Sequence, residues 1–203
     1  MTHPIPRAAL AATALAFTLG LSACASMAPS QAGGWQTLFD GSTLNGWNRV
    51  GDGNWRIEGG AIVADAKTGK DNGFLVTQQS YQDFEIRAEF WASDDANSGI
   101  YFRCTVPAGP TDRNCYEANI FDQRPEPKFG TGALVHFGAV DPMPKAGGKW
   151  NTYVVTAKGG EMTLVLNGIQ TARVKDATLT SGPVALQYAA GTIKFRKVEI
   201  RRL

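Results

Sequence analysis

The chain has 203 residues, with 20 Lys and Arg against 18 Asp and Glu for a formal charge of +2. So balanced a charge, with no basic cluster interleaved with aromatics, argues against a nucleic-acid partner. Beyond an N-terminal targeting stretch, about 180 residues remain, which the size prior assigns to one domain with room for a substantial core.

The chain opens with Arg7, an apolar run from Ala8 to Leu21, and then Leu21-Ser22-Ala23-Cys24. That run is too short to span a bilayer comfortably and too rich in small residues for a core helix, so residues 1–23 read as a signal peptide. Leu-Ser-Ala-Cys resembles the lipobox of bacterial lipoproteins, in which cleavage before the cysteine leaves its thiol for a diacylglycerol anchor. The alternative is an ordinary cleaved signal with an incidental cysteine. A lipidated Cys24 would hold the protein to a membrane surface without spanning it. Ala25, in place of Asp, resembles the sorting pattern for the outer membrane, with the domain facing the periplasm. Residues 24–34 are small, polar and Pro/Gly-containing, as a tether would be. The folded domain is expected over 35–203.

From Trp35 onward no helical period is sustained. Short alternating or β-branched runs predict strands over 36–39, 55–58, 61–64, 74–77, 84–91, 98–103, 116–121, 133–137, 151–158, 161–166, 169–175, 182–188 and 193–201. Glu58-Gly59-Gly60 marks one turn, and Asn167-Gly168 predicts a type I′ hairpin. About a dozen short strands in one domain imply an all-β sandwich of two packed antiparallel sheets. In the run over 84–91, Phe84, Ile86, Ala88 and Phe90 take the core face, while Glu85, Arg87, Glu89 and Trp91 take the other. The last strand points Ile193, Phe195, Val198 and Ile200 inward, with a phase slip near Arg196 that suggests a bulge. Trp47, Trp55 and Trp150 read as core aromatics at strand entries, and His136 as a packed or hydrogen-bonded sheet residue.

With Cys24 committed to lipid, Cys104 and Cys115 remain. In an oxidising compartment such a pair reads as a disulfide closing the loop Thr105 to Asn114, worth on the order of 2–3 kcal/mol. A metal site would need more ligands nearby, and His136 is the only histidine after the signal. No ligand spacing demands a metal and no cofactor is expected, although a divalent metal stays open.

Three successive strands carry groups suited to a sugar: Glu89 and Trp91, then Tyr101 and Arg103, then Glu117 and Asn119 with Asp122 at the strand end. Paired as consecutive hairpins they would converge within about 5–10 Å, offering aromatic planes to ring faces and carboxylates and amides to hydroxyls. The plainer reading makes Glu89, Arg103 and Glu117 cross-strand ion pairs on a solvated face.

These residues fall in segments that resemble the 3-keto-disaccharide hydrolase-like family: Leu38 to Trp47 (LFDGSTLNGW), Asp83 to Phe90 (DFEIRAEF), Asn97 to Arg103 (NSGIYFR), Tyr116 to Asp122 (YEANIFD), Trp150-Asn151, Leu166-Asn167-Gly168, Gly182 to Gln187 (GPVALQ) and Phe195-Arg196. The resemblance runs from Trp35 to the C-terminus. It implies a concanavalin A-like, laminin-G-like jelly roll whose ligand site lies on the concave sheet. It also implies activity on 3-keto-glycosides or 3-keto-disaccharides. A C3 ketone acidifies the C2 proton, so a carboxylate can remove it, the aglycone can leave from C1, and water can then add. On that implication Glu117 and Glu89 serve as base and acid and Arg103 as stabiliser of the enediolate. Asn119 and Gln187 clamp hydroxyls, and Tyr101, Trp91 and Asp122 complete the sugar site. Two departures stand out: many members follow Leu-Gln with Asp-His-Gly, where this chain has Tyr188-Ala189-Ala190, and Lys197 replaces the usual Asn after Phe195-Arg196. A non-catalytic carbohydrate-binding envelope lipoprotein is therefore the alternative.

Overall fold

A computed structural model describes residues 33–105 and 109–203, together with Met1 and His3. The expected signal peptide, the Cys24 anchor and most of the tether lie outside the described residues.

Thirteen strands make up the described residues: β1 (Gln36–Phe39), β2 (Trp47–Val50), β3 (Arg56–Glu58), β4 (Ala61–Ala64), β5 (Gly73–Tyr81), β6 (Phe84–Ala92), β7 (Ser98–Phe102), β8 (Tyr116–Ile120), β9 (Trp150–Lys158), β10 (Glu161–Leu166), β11 (Ile169–Lys175), β12 (Gly182–Tyr188) and β13 (Ile193–Arg202). One turn of 3-10 helix, Pro127–Phe129, lies between β8 and β9. The strands form two antiparallel sheets. The larger runs β11-β10-β9-β6-β13-β4-β3, with β1 also on β13, and the smaller runs β2-β5-β12-β7-β8. This is the jelly-roll sandwich of the concanavalin A-like class.

Side-chain alternation dictates the packing. On β6, Phe84, Ile86, Ala88 and Phe90 are buried against the facing sheet, while Glu85, Arg87, Glu89 and Trp91 point away from it. On β13 the inward set is Ile193, Phe195, Val198 and Ile200, and the pairing slips between Arg196 and Glu199, where Lys197 has φ 49°. That is the bulge the phase slip predicts. The smaller sheet answers with Leu75, Ile100, Phe102, Tyr116, Ala118, Val184 and Leu186. Each large apolar side chain so buried contributes about 1.5–3 kcal/mol. The two turns marked by the sequence have positive φ at both central residues, Gly59 and Gly60 in one and Asn167 and Gly168 in the other, as type I′ requires.

The Cys104–Cys115 disulfide is formed. It lies on the outward face of the smaller sheet, in a second cluster with Phe74, Tyr101 and Ala185. That face is covered by loops, and every residue of β7 and β8 is buried.

The sequence reading is corrected at several points. Residues 133–137 form a turn, not a strand: Ala133, Leu134 and Val135 are all buried in succession, without the alternation a half-solvated strand needs. The amide of Val135 donates to the Glu117 carbonyl, so this turn packs along β8. His136 sits in the turn with φ 69°, its Nε2 2.8 Å from Asp112 Oδ2. The short edge strand β2 had no periodic signal. Trp47 and Trp55 are core residues, but Trp150 is 37% exposed beneath the Arg196 guanidinium.

Candidate active site

Two adjacent rows of side chains cross the outward face of the smaller sheet, since Tyr101 pairs with Ala185 and not with Gln187. Val50 on β2 pairs with Phe74 on β5, Phe74 with Gln187 on β12, and Tyr101 on β7 with Glu117 on β8. All five line one cleft of about 540 Å³. Loops supply its rim: Asp71 and Asn72 before β5, Asn97 before β7, Thr111 and Asp112 from the disulfide-closed loop, and Arg124 after β8. The face is set by alternation, because Tyr116, Ala118 and Ile120 enter the core and send Glu117 the other way.

Glu117 is only 4% exposed. Its carboxyl lies against Gly99, where an added Cβ would come within 3.1 Å of Oε1, so a side chain at position 99 would crowd the carboxyl. Burial pushes the Glu117 carboxyl up to about 7. The Tyr101 hydroxyl and the Arg124 charge pull it back in part, and Asp112 pushes it up a little further. Burial, followed by the Glu117 charge, drives the Tyr101 phenol strongly upward, so it stays protonated and can donate. Gln187 Nε2 donates to Tyr101 Oη at 2.9 Å, and Phe74 packs edge-on against the Tyr101 ring at 5.4 Å. Gln187 Oε1 is buried with no hydrogen-bond partner among the described residues. A buried acceptor without a partner costs about 1–3 kcal/mol, which a ligand hydroxyl would restore.

The structure therefore joins Glu117, Tyr101 and Gln187 and separates the other predicted site residues from them. Glu89 and Trp91 are on β6, which pairs with β9 and β13 in the larger sheet, so they lie on the opposite outer face of the sandwich. There Glu89 accepts from Arg196 Nε at 2.6 Å and Lys197 Nζ at 2.5 Å, and Lys194 sits over Trp91. The turn Asp94-Asp95 carries the chain from one sheet to the other, so β6 and β7 are no hairpin.

Arg103 falls just beyond β7 with φ 52°, which breaks the alternation shared with Tyr101. Its side chain is fully buried and donates to the carbonyls of Gln82, Gly159 and Leu179 and to Asp83 Oδ1, joining loop ends. Asn119 shares the face of Glu117 but lies under the segment after the 3-10 turn, its Nδ2 donating to Phe129 O at 2.7 Å. Asp122 accepts from Thr131 Oγ1 and from the amides of Ala146 and Gly147, which pins two loops together. Arg124 and Asp112 escaped the sequence reading because neither lies in a periodic segment. No group of three or more His, Cys, Asp or Glu side chains converges among the described residues as a metal site would require.

Fold and cleft together define a concanavalin A-like jelly roll that carries a polar, aromatic-floored cleft on one sheet. A model of the 3-keto-alpha-glucoside-1,2-lyase-like domain matches residues 34–201. The chain belongs to that family. A 3-keto-disaccharide hydrolase of Bacteroides thetaiotaomicron is 35% identical over a match covering 36% of this chain and 29% of the relative, so the chain spans less than a third of that protein. Among solved structures, a Parabacteroides distasonis protein superposes with a TM-score of 0.74 at 21% identity, covering 84% of this chain and 94% of the other. A carbohydrate binding module of Bacillus subtilis gives 0.62 at 18% identity, covering 77% and 95%. At such identities these likenesses show the fold.

Proposed function

We propose that this domain cleaves glycosides already oxidised at C3, with Glu117 as the base. The observation that carries the reading is a buried carboxyl opposite Tyr101, pushed up to about 7 by burial, in a cleft that Arg124 and the unpartnered Gln187 acceptor also line. A base that titrates near the working pH combines a useful ionised fraction with real proton affinity.

In this reading the Glu117 carboxylate removes the C2 proton, and the electron pair moves into an enolate whose oxygen at C3 faces Arg124. Collapse of the enolate forms the C1–C2 double bond as the C1–O bond breaks, and the Glu117 carboxyl returns its proton to the leaving oxygen. Water then adds across the double bond, its oxygen to C1 and a proton to C2. The net change is hydrolysis to a 3-keto sugar and an alcohol. Arg124 takes the stabilising role first assigned to Arg103. Gln187 Oε1 accepts from a sugar hydroxyl, and the Phe74 and Tyr101 rings offer apolar contact to the ring face.

A second reading, a carbohydrate-binding module without turnover, is favoured by the segment after Gln187. Tyr188 turns inward to pack edge-on against Trp55, and Ala190, bonded to the Asn97 backbone at the rim, adds no proton-transferring group. In either case we propose that the domain is held in the periplasm by lipid on Cys24. The test is incubation of the purified protein with a 3-keto-glucoside carrying a chromogenic aglycone. Release of the aglycone supports the first reading, and binding without release supports the second.

A further inference from the structure

A second compartment, of about 720 Å³, lies beside the Glu117 cleft on the same sheet face. The two share Val50 and Pro110 as a common boundary. Strand register fixes their relation. The row Val50–Phe74–Gln187 floors the first cleft; one step along the strands, the next row runs Asn48, Val76, Ala185, Tyr101, Glu117, its β2–β5 end lining the second compartment and its β7–β8 end the first. One such step is roughly 7 Å. Farther along, Ser80 opposite Pro183 continues the second floor.

Their chemistry differs sharply. The first cleft is lined by Asp71, Asp112, Glu117 and Arg124. Among the described residues lining the second, none is Asp, Glu, Lys, Arg or His; hydroxyls of Ser80, Thr180 and Ser181 lie among the apolar Val76, Pro110 and Pro183. A lining of this kind hydrogen-bonds neutral hydroxylated groups and gives apolar contact to ring carbons, but leaves an entering charge uncompensated. The boundary itself is held in place. Thr111 N donates to Asn114 Oδ1 at 2.8 Å, the Cys104–Cys115 bridge closes the loop, and Pro110 is buried.

We propose that this second compartment receives the leaving-group half of the substrate and selects an uncharged, hydroxyl-bearing one such as a second hexose. The assignment rests on the reading that the Glu117 cleft holds the 3-keto ring: with C1 directed at Pro110, the aglycone passes over the shared boundary into the neutral compartment.

The experiment compares methyl 3-keto-glucoside, which has no leaving group large enough to reach the compartment, with a 3-keto-disaccharide. The wild-type protein is set beside Ser181→Asp and Thr180→Trp, both at exposed positions lining the second compartment. Both changes are expected to lower kcat/KM for the disaccharide by at least about 10-fold, chiefly through KM, and to leave the methyl glycoside within about twofold. Equal losses on both substrates, or no loss on either, overturn the proposal. A titration of the wild-type protein with the unoxidised disaccharide, followed by amide chemical shifts, separates the two readings. Shifts at Val76 and Ser181 together with Tyr101 support the compartment even where no glycoside is cleaved, in which case only the catalytic reading fails. Shifts confined to Tyr101 and Gln187, or none at all, overturn the compartment.

Discussion

Tyr101 stands directly opposite Glu117 across β7 and β8, and its hydroxyl, which accepts from Gln187 Nε2, donates to the Glu117 carboxyl. Two strands and a third side chain thus hold in place the contact that partly offsets the upward push of burial on this carboxyl.

The first prediction follows from the sign of that contact. The Tyr101 hydroxyl stabilises ionised Glu117, so Tyr101→Phe should raise the Glu117 pKa above about 7. The acidic limb of the kcat/KM profile for a 3-keto-glucoside should then move to higher pH, with the fold retained. A pH–rate series on the two proteins checks it, and an unmoved limb would separate Tyr101 from the base.

Arg103 and Glu89, both first read as catalytic, should behave as structural residues of opposite weight. Arg103 satisfies three backbone carbonyls with a fully buried guanidinium, and Arg103→Lys cannot reach them all. A loss of about 2–4 kcal/mol is expected in denaturant titration, with turnover per folded molecule unchanged. Glu89→Gln breaks partly exposed ion pairs and should shift stability by no more than about 1 kcal/mol, again without effect on turnover.

Those two residues also mark what could be read from sequence. Alternation along Phe84 to Trp91 gives each side chain its face correctly, because period two is a property of the strand alone. It carries no information on which sheet the strand joins, and the turn after Ala92 sends β7 to the other one. Arg103 escaped alternation through a single positive φ at the strand end. Glu117 was legible because its own strand decides its face. Arg124 and Asp112 were not, since loops reach the cleft by tertiary packing that leaves no period behind. Asn119 keeps the predicted face but is fully buried, because the segment after the 3-10 turn covers it.

The anchor is tested independently of the cleft. If Cys24 carries lipid, Cys24→Ser should move the protein from the membrane fraction to the soluble periplasmic fraction, with cleft activity per molecule unchanged. Membrane retention of Cys24→Ser would exclude the lipobox reading.

Glu117 should show opposite signs in activity and stability. Its folded pKa, about 7, lies above the ordinary value of 4.5, so between those values the folded protein holds a proton that the unfolded chain has released. Stability is therefore full below about 4.5 and declines as pH rises through about 7. Beyond that it stays lower by on the order of 3 kcal/mol, the equivalent of the shift. Glu117→Gln cannot ionise and escapes this loss. At pH 8 it should melt at a higher temperature than the wild-type protein, with the gap closing towards pH 4.5, while turnover of a 3-keto-glucoside falls by at least about 10²-fold. A structural carboxylate would give the reverse: Glu117→Gln would melt lower at pH 8, and activity would fall only with the folded fraction. Calorimetry at the two pH values, alongside an initial-rate assay, distinguishes a residue kept buried for its chemistry from one kept for the fold.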